Sequence, residues 1–373
     1  MQDDCGFREW TLLEAQTRSA LRGNTPTSGI CYFWRLRRYF LKRVVIFGLG
    51  GTIASTATSS IGVVPQLDVT EIIDAVPSIE TLAKIECVSF RNLPGAHLCV
   101  EDLFQLATDI EQAHCDGADG VVVVQGTDTI EETAYVLDLL VGTAGAVVVT
   151  GAMRNPTLPS ADGPANLLAA VTVASTETFG NVGTVVVLND SVHAAAWVRK
   201  AHTGSPSAFA SPMTGPMGWI SEKAAYKAWS PTRPGNIATA HLNEKAAKVA
   251  LLNTWLGDDG GLVRAVVDLG FDGVVIAGLG GGHTNVAVAS ALEEIAKSVP
   301  VVIVSRVGAG ETLRNTYGFL GSEMDLASRG LVSAASLDGV KARLLLTLLL
   351  SRRDSDTGAA LKDFQRFSQG YRI

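Results

Sequence analysis

Cysteine is scarce in this chain. Five occur among 373 residues, Cys5, Cys31, Cys87, Cys99 and Cys115, an odd number with no C-x-x-C spacing. The pattern offers no disulfide framework or zinc site and fits a reduced, cytosolic setting. Histidine is nearly as rare, with six residues and no H-E-x-x-H, which disfavours metal-dependent chemistry. Positive charge is not in excess either. A net charge of -7 argues against a nucleic-acid partner, whose phosphates call for a basic face. The longer apolar runs, Val299–Val304 and Leu344–Leu350, are too short to cross a bilayer. Asp3 and Asp4, with no apolar stretch behind them, speak against a signal peptide. What remains is globular: 47% hydrophobic residues and 38 glycines, in a chain long enough for two domains.

Residues 1–41 fit nothing downstream and end in the basic-aromatic FWRLRRYF. They read as an extension outside the fold, with a membrane-surface anchor as the alternative. From Lys42 onward strands and helices alternate. RVVIFGL, AKIECVSF, VVVV, AVVVTG and NVGTVVVL read as strands, and DVTEIIDAV, VEDLFQLATDIEQA, the run from Thr129 and GPANLLAAVTVA as helices. This rhythm predicts an α/β fold of mostly parallel sheets covered by helices on both faces. The expected organisation is a larger N-terminal domain over 42–230, a linker over 231–246, a smaller C-terminal α/β domain over 247–351 and a tail over 352–373.

Ligands of open parallel sheets bind outside the carboxyl ends of the strands. Four groups fall there. FGLGGTIAS places Thr52 after a glycine turn, but lacks both the dinucleotide fingerprint and the P-loop lysine. In VVVVQGTDTIEETAYVLDLL, Thr129 and Glu132 have capping-box spacing, leaving Thr127 and Asp128 at a helix N-terminus. TGAMRNPTLPSADGPANL forms a shaped loop in which Asp162 reads as a structural cap. In WVRKAHTGSPSAFASP, Lys200 is an ordinary surface cation unless it meets Thr127 in space. Two threonines, a lysine, an aspartate and a helix N-terminus suit hydrolysis of an acyl group through a Thr nucleophile, with a zwitterionic amino acid as the simplest ligand.

At these residues the chain resembles the bacterial-type L-asparaginase family. GGTIA (Gly50–Ala54) is similar to its first signature and QGTDTIEETAYVLDL (Gln125–Leu139) to its second. The likeness continues through TGAMR…SADGP, Lys200-x-x-Thr203 and the KARLLL run from Lys341, and spans about residues 42–351. It implies a homotetramer built from dimers, or a homodimer, that converts L-asparagine to L-aspartate and ammonia without a cofactor or metal. It implies Thr52 as nucleophile, and Thr127 with Lys200 and Asp128 as a second catalytic group. Asp128 would also hold the substrate amino group, and the Ala152 carbonyl the carboxamide nitrogen. Gly95 stands where many members have a serine at the substrate carboxylate, so contact there would be through the main chain. His283, in GLGGGHTN, falls where a neighbouring subunit contributes to the site, and reads otherwise as a capping or packing histidine. Val63 falls near the position of the family's lid tyrosine, and Gln125 replaces a histidine. Rival readings are a mixed glutaminase-asparaginase, an amidotransferase-type amidase, and an amino-acid-binding protein that has lost catalysis.

Overall fold

A computed structural model describes residues 41–51, 55–59, 62–65, 69–74, 76–142, 144–353 and 356–372. Thr52 and nearly all of the N-terminal extension lie outside the described residues.

The N-terminal part runs β1 (Lys42–Gly48), β2 (Ser55–Ser59), β3 (Gly62–Pro65), α1 (Val69–Asp74), β4 (Ala83–Ser89), α2 (Val100–Cys115), β5 (Gly120–Val124) and α3 (Ile130–Leu140). It continues through β6 (Ala146–Thr150), α4 (Gly163–Ala174), β7 (Thr184–Leu188) and β8 (Ser191–Ala194). Two hairpins follow, β9 (Arg199–Lys200) with β10 (Phe209–Ala210), and β11 (Gly218–Ser221) with β12 (Ala224–Lys227). The C-terminal part contains β13 (Val249–Asn253), α5 (Gly261–Asp268), β14 (Gly273–Gly278), α6 (Val286–Ile295), β15 (Val301–Ser305), α7 (Glu323–Ser328), β16 (Val332–Ser333), α8 (Gly339–Leu350) and α9 (Thr357–Gly370).

The valine runs form strands because both faces of each are covered, and every residue of β5, β6 and β7 is buried. They sit in an eight-stranded sheet of order β12-β11-β8-β7-β6-β5-β1-β4. Pairing is parallel from β1 through β5 and β6 to β7, as the rhythm of the sequence predicts. Beyond β7 it is antiparallel, so the sheet is mostly parallel, as expected, with an antiparallel edge. The reason lies in two turns. Asn189 and Asp190, both at positive φ (49° and 57°), close the β7–β8 hairpin, and Glu222 and Lys223 (48° and 67°) close β11–β12. Two such residues in succession give the turn whose twist matches antiparallel strands. The second sheet has order β13-β14-β15-β16 and is parallel throughout.

Helix α8 packs against α3 and also against β13 and β14. Leu344, Leu345, Leu348 and Leu349 belong to the same buried cluster as Val121–Val124 and Leu137. Burying one such side chain contributes roughly 1.5–3 kcal/mol, so α8 is a fixed support beneath α3. A separate cluster on the other face of the second sheet joins Val263 and Val266 of α5 with Val288 and Leu292 of α6.

Residues beyond 351, expected as a tail, instead form α9, capped by the Asp356 carboxylate, which accepts from the Ala359 amide at 2.7 Å. The chain then returns to the first domain. Tyr371 donates its hydroxyl hydrogen to Asp138 on α3 at 2.9 Å, and the fully buried Asp138 also faces Arg233 at 3.0 Å and accepts from the Thr184 amide at 2.9 Å. Burial pushes the Asp138 carboxyl up, while Arg233 and these donors oppose that shift. The expected linker is tied down along the same helix, since the Ile237 amide donates to the Leu139 carbonyl at 2.7 Å.

Candidate active site

Three loops meet at the carboxyl ends of β1, β4 and β5, and glycine lets them do so. Gly50 and Gly51 both lie at positive φ, 97° and 89°. A Cβ on Gly51 would stand 2.1 Å from the Gly126 nitrogen, and one on Gly50 would stand 2.7 Å from the backbone of Leu93. No larger residue fits that approach. The loops are also bonded: the Leu49 amide donates to Val124 at 2.8 Å and the Leu93 amide to Leu49 at 3.0 Å. Gly51, the residue before Thr52, therefore lies against the turn that carries Thr127.

That turn is a short 3-10 segment, Thr127–Thr129, running directly into α3. Thr129 occupies the N-cap position but makes no capping bond. Its hydroxyl donates to the Gly95 carbonyl at 3.0 Å and accepts from the Gln125 amide nitrogen at 3.2 Å, so the expected capping box is replaced by a tie between two loops. A Cβ on Gly95 would come within 3.0 Å of the Gly126 carbonyl oxygen, which accounts for glycine there. Gln125, which replaces the histidine usual in the family it resembles, is fully buried and braces the turn from below.

Lys200 meets this turn. Its Nζ donates to Thr127 Oγ1 at 3.0 Å and to Asp128 Oδ1 at 2.7 Å, across more than seventy residues of chain. Thr127 is buried, while the Asp128 side chain is 68% exposed and that of Lys200 16%. An ion pair with one partner so exposed contributes at most about 1 kcal/mol, so stability does not account for the arrangement. What it provides is a hydroxyl, an ammonium and a carboxylate grouped beside a helix N-terminus, whose amides favour negative charge. β9 delivers Lys200 because it pairs with β10, with Phe209 opposite Lys200.

Ala152 is buried just after β6, in a loop tied at both ends. Asp162 does not cap α4. It accepts instead from the Met153 amide at 3.1 Å, the Arg154 amide at 2.8 Å and Asn166 Nδ2 at 3.1 Å. Asn166 Nδ2 also donates to the Gly151 carbonyl at 2.9 Å. The main chain on either side of Ala152 is thereby fixed.

His283 is not brought to this group. It lies beyond β14, with Nε2 3.0 Å from Glu323 and its ring edge-on to Tyr317 and Phe319 at 5.3 and 5.2 Å. Within this chain its contacts are one polar contact with Glu323 and aromatic packing. Sequence reasoning missed Glu131, Asp338 and Lys341, which lie behind Lys200, and missed Asp162 as the organiser of the Ala152 loop. One signal was present: Lys341 stands between Val340 and Ala342, just ahead of the apolar run of α8.

The family description "Asparaginase, N-terminal" matches residues 43–233, and "Glutaminase/Asparaginase C-terminal domain" matches 248–360. The chain is 36% identical over 319 residues to the probable periplasmic L-asparaginase of Haemophilus influenzae, covering 84% of this chain and 89% of that one. It is 36% identical over 320 residues to L-asparaginase 2 of Escherichia coli, covering 84% and 90%. The crystal structure of a probable cytoplasmic L-asparaginase from Campylobacter jejuni superimposes with a TM-score of 0.80 at 33% identity, covering 88% of this chain and 100% of that one.

Proposed function

The chain belongs to the asparaginase family and hydrolyses L-asparagine to L-aspartate and ammonia, and we propose that it does so where the Gly51 and Gly126 turns meet, with Thr127 and Lys200 at the centre. The observation that carries this reading is the 3.0 Å contact of Lys200 Nζ with Thr127 Oγ1.

In this reading Thr52, one residue beyond the Gly51–Gly126 contact, attacks the side-chain amide carbon. The bond to nitrogen breaks, ammonia leaves with a proton gathered through the site, and water then cleaves the acyl ester to give aspartate. Thr127, Lys200 and Asp128 act as one set: the lysine and threonine handle the proton, and Asp128 also receives the substrate ammonium. The Ala152 carbonyl accepts from the carboxamide nitrogen. The main chain at Gly95 faces the substrate carboxylate, and the amides at the start of α3 stabilise the developing oxyanion.

Two further proposals go with it. Tyr317 and Phe319, which flank His283, are 46% and 49% exposed, with Leu320 at 58% and Met324 at 47%, and so many apolar side chains together support a second copy covering them. A dimer or tetramer of this kind would bring His283 toward a neighbour's site. Cys99 and Cys115 are free thiols, which supports a reducing, cytoplasmic compartment.

The test is ammonia release from L-asparagine, L-glutamine and their D-forms by the intact protein and by Thr52→Ala and Thr127→Val. Each variant, folded, is expected to lose ~10²–10⁴-fold in kcat. Wild-type turnover in either removes that residue from the mechanism. Tight aspartate binding with no ammonia release by the intact protein would favour the binding-protein reading.

A further inference from the structure

A buried ionic group lies behind the site. Lys341, in the first turn of α8, is fully buried. Its Nζ donates to Asp338 Oδ2 at 2.8 Å and to the Val198 carbonyl at 2.7 Å, and stands 3.7 Å from Glu131 Oε2. Val198 lies two residues before Lys200. Glu131 lies in the first turn of α3, three residues after Asp128, and its carboxylate faces the main-chain N–H of Lys200, which favours its charged form. Lys200 is thus held to the start of α3 by its side chain at Thr127 and Asp128, while Lys341 ties the chain two residues earlier, at the Val198 carbonyl, to Glu131 of the same helix.

Stability does not call for such a group. Buried ion clusters are often replaced by apolar residues of similar volume without loss, although removing one partner alone is costly. Directional bonds do something that apolar packing cannot: they fix a strand at one height. β9 is two residues long and, among the described strands, pairs with β10 alone, so it depends on further ties for its position. Burial raises the Glu131 carboxyl and the Lys341 ammonium counters that rise. Burial likewise opposes ionisation of Asp338, but Lys341 and its hydrogen bonds outweigh it and hold that carboxyl below its ordinary value. Arg199 adds positive charge near both carboxylates.

We infer that Glu131 and Lys341 are positioning residues for Lys200: Glu131 sets the height of the β9 main chain above α3, and Lys341 anchors Glu131 and Val198 together. This rests on the reading of Lys200 as the cation of the reaction. Neither residue touches substrate, so their effect falls on turnover rather than on substrate binding.

The experiment measures kcat and KM on L-asparagine, with oligomeric state and thermal unfolding, for full-length Glu131→Leu, Glu131→Gln, Lys341→Met and Lys200→Met. Glu131→Leu removes the carboxylate that faces the Lys200 amide and pairs with Lys341, and is expected to lower kcat ~10- to 100-fold with KM within about threefold. Glu131→Gln keeps an acceptor oxygen and is expected to stay within about fivefold of wild-type kcat, and Lys341→Met, where it folds, to follow the leucine variant. If Glu131→Leu does not fold, Glu131→Ala, which adds no bulk, is compared with Glu131→Gln instead. Wild-type kcat in the leucine or alanine variant, equal losses in that variant and the glutamine variant, or a loss confined to KM overturns the clamp. Lys200→Met separates the two claims. If it turns over normally, the reading of the site fails; if it is inactive while the leucine or alanine variant is normal, only the clamp fails.

Discussion

Gly51 and Gly126, on loops that follow two neighbouring parallel strands, touch main chain to main chain, so closely that a methyl group on Gly51 would lie 2.1 Å from the Gly126 nitrogen. Gly51→Ala must therefore push the Gly50–Gly51 turn away from Gly126, besides placing alanine at a φ of 89°. A loss of kcat/KM of ~100-fold or more is expected, because a displacement near 1 Å costs that much in a positioned site. Steady-state kinetics on the folded variant check it. A near-normal rate would mean the contact has no part in turnover.

Asp162→Ala removes the acceptor of two consecutive amides, those of Met153 and Arg154. The loop carrying Ala152 then loses its fixed geometry, and kcat/KM is expected to fall ~10-fold or more, with Asp162→Asn, which keeps one oxygen, falling less. Equal rates in wild type and Asp162→Ala would detach this loop from substrate binding.

Tyr371→Phe deletes the hydroxyl that donates to the buried Asp138 at 2.9 Å. Loss of a hydrogen bond to a buried charged group costs about 1.5–3 kcal/mol, so urea unfolding should shift by that amount while kcat changes little. An unchanged midpoint would show that this hydroxyl has no part in holding the C-terminal segment.

His193 provides a pH signature. It is buried on β8 with Nδ1 2.9 Å from Ser211 Oγ, and burial lowers its pKa to about 4. The folded state therefore favours the neutral ring, whereas the unfolded chain takes up a proton near pH 6.5. Stability from this group is complete above pH 6.5 and is lost as pH falls toward 4, by about 3 kcal/mol in total. Unfolding measured against pH should show a shallower acid limb for His193→Gln. Identical slopes would assign the acid loss to other groups.

Phe319→Arg places a charge among the half-exposed Tyr317, Leu320 and Met324. Sedimentation should show a smaller species than wild type, and activity should fall with it if a neighbour completes the site. A wild-type assembly would place the subunit contact elsewhere.

How much of this was legible beforehand varies by element. Valine runs over Val121–Val124 and Val147–Val149 announce buried parallel strands because solvent touches neither face. Glu222 and Lys223 carry no comparable signal. They are ordinary surface residues, and only the strand twist places them at positive φ. Thr129 and Glu132 had capping spacing, yet the Gly95 carbonyl, far away in sequence, took the threonine hydroxyl.

The sequence by itself determined the alternation of elements and the placing of Thr127, Asp128 and Lys200 at strand or helix ends. Local periodicity and turn chemistry act over a few residues, and so can be read along the chain. Only the tertiary structure decided that Lys200 reaches Thr127, that Glu131 and Lys341 stand behind it, and that the last residues return to Asp138. Those contacts join positions dozens to hundreds of residues apart. They exist because glycines and small loops allow close approach, and because buried polar groups must find partners wherever the fold brings one.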